Sequence, residues 1–188
     1  MNKDLFNFAI DIIDQYAKNE SHAGLFEINL TNNYTKLYTF AEISRLSCQV
    51  SNVLKQYGFS KGDKIFMMLP NIPEWWIAMI GLQRAGVIPA PATTQLVAKG
   101  IKQRFETTDF KAVLTISEFC DKFSQVKNEY PDLQCFAIGD VIPEGWINWN
   151  ESVTKCDDKF EPITSYASDP ALLYFTSGTT GLPNLNIS

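Results

Sequence analysis

Thr176, Ser177, Gly178, Thr179, Thr180 and Gly181 place four hydroxyls and two glycines in six consecutive positions, directly behind the apolar run Leu172–Phe175. Glycines reach positive φ at no steric cost, so successive backbone N–H groups can converge on an anion. The hydroxyls add donors without bulk. This composition suits the terminal phosphates of a nucleotide. It is not a Walker A loop, which needs wider glycine spacing followed by Lys-Ser/Thr. A polar surface turn after a strand has the same composition, so composition alone leaves both readings open.

Other chemistry-bearing residues are sparse. Gly58 to Gly62 reads GFSKG and matches the nucleophile-elbow pattern. An elbow needs a strand before its serine and a helix after it; here the order is reversed, so a helix-to-strand turn is expected. Cys48, Cys120, Cys135 and Cys156 are not at metal-ligand spacing and are expected to be reduced and mostly buried. The single histidine, His22, falls at the start of a strand-like segment and reads as an ordinary surface or half-buried residue. No metal ligands and no catalytic side chain are assigned. Trp75 and Trp76 lie on a helix-like stretch rich in apolar residues, where core or core-edge packing is the expectation.

The elements that must position the hydroxyl-rich loop follow from periodicity. Leu5, Phe8, Ala9, Ile12, Ile13 and Tyr16 have helical spacing, which predicts a helix over 4–18. AGLFEINL and YTKLYTF flank the turn-rich TNN and predict a β-hairpin. Thr39 and Glu42 form a capping box for a helix that runs to about Gly58. DKIFMMLP reads as a buried strand, and Pro73 opens a helix that Gly86 closes. Beyond it come strand VIPA, a helix over 96–107, strand KAVLTI, a helix over 117–129 and strand QCFAIG. Residues 145–168 read as irregular, and ALLYFTS as the last strand. Apolar strands alternating with helices predict a parallel sheet covered on both faces.

With 188 residues, 45% of them hydrophobic, and no linker or repeat, the chain reads as one domain with a real core. A net charge of −5 offers no basic face for nucleic acid. Asp11 and Asp14 interrupt any signal-peptide core, and the most apolar stretch carries Glu74, Gln83, Arg84 and prolines, so no transmembrane segment is expected. A cytoplasmic location is the resulting expectation.

LLYFTSGTTGLP closely resembles the nucleotide-binding loop of the adenylate-forming (AMP-binding) superfamily, which includes acyl-CoA synthetases, luciferases and peptide-synthetase adenylation domains. YTFAEI at 38–43 and GDKIFMMLPNIPEWWIAMIGLQRAGVIPAP at 62–91 resemble further stretches of that family. PEWW, PATTQLVAKGI and GWINWNE look most like its medium-chain acyl-CoA synthetase branch. The resemblance spans about residue 4 to Pro183. It implies the N-terminal part of the family's large α/β domain, a mostly parallel sheet flanked by helices with an N-terminal β-hairpin. It implies a two-step ligase, in which ATP (with Mg2+) activates a fatty or other carboxylic acid to an acyl-adenylate that CoA converts to acyl-CoA. Carried over residue by residue, Thr176, Ser177, Gly178, Thr179, Thr180 and Gly181 hold the β- and γ-phosphates.

The sequence departs from the family's Leu-Pro-Lys ending of that loop, having Leu182, Pro183 and Asn184 instead. Asparagine keeps a donor but lacks the positive charge, and charge-assisted hydrogen bonds are about twice as strong. The family's adenine pocket, magnesium ligand and C-terminal domain would lie beyond the loop. The expectation is therefore a portion of the enzyme truncated by a frameshift or premature stop and inactive alone. The alternative is a non-catalytic remnant or split-subunit module. An unpaired edge on the last strand is expected to promote self-association.

Overall fold

The computed structural model describes residues 4–161, 163–177 and 183–187. The chain forms two compact units, each drawn from three stretches. Unit 1 comprises 1–60, 71–86 and 153–169; unit 2 comprises 61–70, 87–152 and 170–188.

In unit 1 the predicted first helix begins late. Leu5 makes an isolated antiparallel bridge to Tyr166, and the Phe6 N–H donates to Ser165 O at 3.1 Å, so Leu5 and Phe6 precede the helix. Helix then runs as a π-helical stretch, Ala9–Ile13, into α1, Asp14–Ala17. The Asn7 N–H donates to Asp11 Oδ2 at 2.7 Å and marks the helix entry. The hairpin forms where predicted, as β1 (Ala23–Asn29) and β2 (Tyr34–Thr39) in antiparallel register. Asn33 takes a positive φ of 47° in its turn.

α2, Phe40–Gln56, opens on the predicted capping box. The Glu42 N–H donates to Thr39 Oγ1 at 3.2 Å, and the Thr39 N–H donates to Glu42 Oε2 at 2.8 Å. Two orphan donors of the helix start are satisfied together. Beyond α2 the GFSKG segment is a turn, as predicted: Gly58 and Gly62 lie at φ 75° and 92°, which side chains rarely adopt.

Unit 2 is built on a five-stranded, wholly parallel sheet. β3 (Lys64–Met68), β4 (Ile88–Pro91), β5 (Ala112–Ile116), β6 (Gln134–Ile138) and β7 (Ile147–Asn148) lie in the order β4-β3-β5-β6-β7. Ile65, Phe66, Met67 and Met68 are all buried, the mark of a strand covered on both faces. α3 (Pro73–Arg84, in unit 1) has Pro73 in its first turn, and α4 spans Ala98–Thr107. The predicted helix over 117–129 is a 3-10 turn, Ser117–Phe123, followed by α5, Ser124–Glu129. Ile101 and Phe105 from α4 and Val126 from α5 meet Phe66, Met68, Val113 and Cys135 from the strands in one apolar core.

Two expectations are corrected. The stretch 145–168 is not irregular throughout, since it holds β7 and then α6, Trp149–Thr154. Trp149 is buried with its ring 5.5 Å from that of Phe136, and Asn148 Oδ1 accepts from the Glu151 N–H at 3.0 Å as an N-terminal cap. The last predicted strand, β8 (Leu173–Ser177), does not join the parallel sheet. It pairs antiparallel with β9, Pro183–Ile187, in a two-stranded sheet of its own.

Candidate functional site

Of the six loop residues proposed for phosphate binding, Thr176 and Ser177 are the last two of β8, registered with Asn184 and Pro183 of β9. Gly178, Thr179, Thr180 and Gly181 lie outside the described residues. What can be followed is how the loop's base is fixed. β8 alternates: Leu173 is buried in the unit 2 core, Tyr174 is exposed, and Phe175 is half-buried. The Phe175 ring lies 6.2 Å from that of Phe110. On Phe175 rests the Arg104 guanidinium, 5.2 Å from the ring centroid, with its Nη1 donating to Gly100 O at 2.7 Å. Burial lowers the pKa of Arg104. A cation over an aromatic face contributes about 0.5–1 kcal/mol at such a partly exposed place. Leu173 and Phe175 thus anchor β8, the strand that leads to the hydroxyl-rich residues, within unit 2.

The donor set itself fits a polyphosphate. It contains hydroxyls and backbone N–H groups and no carboxylate to repel the anion. Asn184 supplies no charge, as the sequence indicated.

Among the described residues, the others with possible chemistry are not gathered into a site. His22 is exposed and lies edge-on to Tyr16 and Phe40, with ring centroids 5.2 and 5.3 Å away. Cys48, Cys120 and Cys135 are buried and Cys156 is half-buried, all as free thiols. Burial pushes Cys120 up to about 12 and Cys135 up to about 11, which keeps both protonated and poor as nucleophiles. Among the described residues no group of three His, Cys, Asp or Glu side chains could hold a metal ion.

In unit 1 Trp75 is half-buried and Trp76 partly exposed, at the edge of the core. A cavity of about 400 Å³ is lined by Trp75, Trp76, Phe40, Ile43 and Met79, with Gln83 among its few polar groups. Trp76 is 46% exposed and also borders a second groove beside β1.

Three comparisons bear on identity. A family profile described as AMP-binding enzyme matches residues 18–185. The chain is 33% identical to mouse acyl-coenzyme A synthetase ACSM1, mitochondrial, over 96% of this chain and 33% of that protein. It is 32% identical to human acyl-coenzyme A synthetase ACSM4, mitochondrial, over 96% of this chain and 32% of that protein. Among solved structures, Brucella canis acyl-CoA synthetase superposes with a TM-score of 0.88 at 30% identity, covering 100% of this chain and 34% of that one. The chain thus spans about a third of the length of the curated relatives it matches. These relatives overturn the expected cytoplasmic location, because each is a mitochondrial protein. The physical reason is simple. Mitochondrial leaders are amphipathic and Arg-rich, so the lack of an apolar signal core says nothing about them.

Proposed function

The chain belongs to the family of AMP-binding enzymes, and from that premise we propose that its hydroxyl-rich loop grips the phosphates of ATP for an AMP-forming acyl-CoA synthetase. The observation that carries this reading is the run Thr176–Gly181, set on a strand whose Leu173 is locked into the core. In the whole protein, a carboxylate of a fatty or other acid attacks the α-phosphate of ATP and releases pyrophosphate. The CoA thiolate then attacks the acyl-adenylate, giving acyl-CoA and AMP. This chain's residues act in the first step. The hydroxyls of Thr176, Ser177, Thr179 and Thr180 and the N–H groups of Gly178 and Gly181 donate to the β- and γ-phosphates. They stabilise the charge that grows on the departing pyrophosphate, the electrostatic work that dominates such transfers. Magnesium would arrive with the nucleotide.

Calorimetric titration of the full chain with ATP and with pyrophosphate tests the assignment. Both are expected to bind. Asn184→Lys, by making one hydrogen bond charge-assisted, should tighten pyrophosphate by about 1 kcal/mol, roughly fivefold. Thr179→Val with Thr180→Val should weaken it. If neither ligand binds, or if the paired valines leave affinity unchanged, the loop is a surface turn and the reading fails. Pyrophosphate exchange with a medium-chain fatty acid is expected to stay at the blank for this chain alone.

A further inference from the structure

We propose that the outward face of the β1–β2 hairpin is a self-complementary contact surface for a second copy of this chain. The register fixes the two faces. Glu27 opposes Lys36, Leu25 opposes Tyr38 and Asn29 opposes Tyr34 on one face. That face is the inner one: Tyr38 is buried, its hydroxyl donates to Glu27 Oε2 at 3.3 Å, and Lys36 Nζ lies 4.1 Å from its ring. The other face brings Phe26 opposite Leu37 and Ile28 opposite Thr35, with Leu30 at the turn. Here the exposures are 59% for Phe26, 58% for Ile28, 46% for Leu37 and 88% for Leu30. Glu27 and Lys36 share the Tyr38 face, Lys36 itself exposed, while the large apolar side chains stand on the other face, the reverse of a hairpin meant to face water.

The size and chemistry of the face select its occupant. At about 200 Å² for a whole large side chain, the four residues expose roughly 500 Å² of apolar surface. That matches the largest patch on a typical monomer, which is commonly functional. Two such faces brought together bury about 1,000 Å², the lower bound for a specific interface, so the dimer is weak and reversible. Edge-to-edge pairing through either strand would leave the apolar face in water. Face-to-face stacking meets no like charge and places the sheets at the usual spacing of about 10 Å. An anionic membrane is disfavoured as the occupant by the chain's net charge of −5.

Sedimentation velocity on the full chain over a broad micromolar range tests the proposal. A reversible monomer–dimer equilibrium that changes little with salt is expected, because no charge lies on the face. Ile28→Lys should weaken it by at least about tenfold, since the contact would then bury an unpaired charge. Leu30→Glu, at a turn position 88% exposed, should act alike. Val141→Lys, an exposed apolar position in unit 2, should change nothing. A chain that stays monomeric throughout, or a dimer that survives both hairpin variants with circular dichroism unchanged, overturns the proposal. So does a monomer that co-sediments with phosphatidylcholine vesicles, which would assign the face to lipid.

Discussion

Arg84 illustrates what single residues contribute and why the sequence hides it. Its side chain is 2% exposed in unit 1, where such a charge survives only with partners. Its Nη2 and Nη1 donate to Asp14 Oδ1 and Oδ2 at 2.6 and 2.8 Å, and its Nε donates to Ser47 Oγ at 3.0 Å. In the sequence, Arg84 is only a charge that spoils a membrane span, because its carboxylate lies on a distant helix. Burial alone would push the Asp14 carboxyl up. Hydrogen bonds from Arg84 and Ser44, together with the guanidinium's charge, outweigh it and hold Asp14 below its ordinary value. A carboxyl depressed in the folded state contributes stability above its unfolded pKa and loses it as pH falls through the folded value. Asp14→Asn leaves Arg84 buried without a counter-charge. It should cost about 3 kcal/mol, the low end for a broken buried pair because Asp14 keeps part of its side chain in water. Thermal unfolding at neutral pH should show the loss. The variant should also lack the part of the parent's acid destabilisation below about pH 4 that Asp14 causes. An unchanged melting temperature would show that the pair contributes nothing.

The elements divide into those that local chemistry specifies and those that distant partners decide. The capping box at Thr39 and Glu42, Pro73 in the first turn of α3, and the apolar runs of β3, β5 and β6 were all legible, since their causes lie within a few residues. The late helix start was not, because Tyr166 and Ser165 capture Leu5 and Phe6 from the far end of unit 1. β7 has two residues, too few for any periodicity. The pairing of β8 with β9 depends on a hairpin register that no alternation in PNLNI announces. Close approach of helices is equally invisible in sequence. At Gly81 in α3, an added Cβ would stand 2.4 Å from Val50 Cγ1 and 2.9 Å from Ser47 O of α2. Gly81→Ala should therefore destabilise by about 1–3 kcal/mol, although alanine is the better helix former by about 1 kcal/mol. Val50→Ala should recover part of the loss when combined with it, so chemical denaturation of the two singles and the double measures the contact. A Gly81→Ala variant as stable as the parent would mean that the helices part freely.

At the scale of the whole molecule, the chain leaves and re-enters each unit, and so neither unit corresponds to a continuous stretch of sequence. The absence of a linker made one domain the natural expectation. The interleaving shows why: α3 and the stretch 153–169 return to unit 1 after the chain has begun the sheet. The four cysteines are distributed so that they can report on the units separately. Cys48 and Cys156 belong to unit 1, and Cys120 and Cys135 to unit 2. Cys120 Sγ approaches Ile116 O and Cys135 Sγ approaches Leu133 O, at 3.6 and 3.5 Å, both within unit 2. Alkylation needs the thiolate, and burial withholds it from both. Pulsed iodoacetamide labelling at rising urea, read by mass spectrometry, should find Cys156 the first to react. Cys120 and Cys135 should gain label together at one midpoint, because both are buried within unit 2, which should open cooperatively. Cys48 should follow the unfolding of unit 1, whether or not its midpoint coincides with theirs. Separate midpoints for Cys120 and Cys135, or ready labelling of either in native buffer, would show that the sheet and its helices do not form one cooperative core.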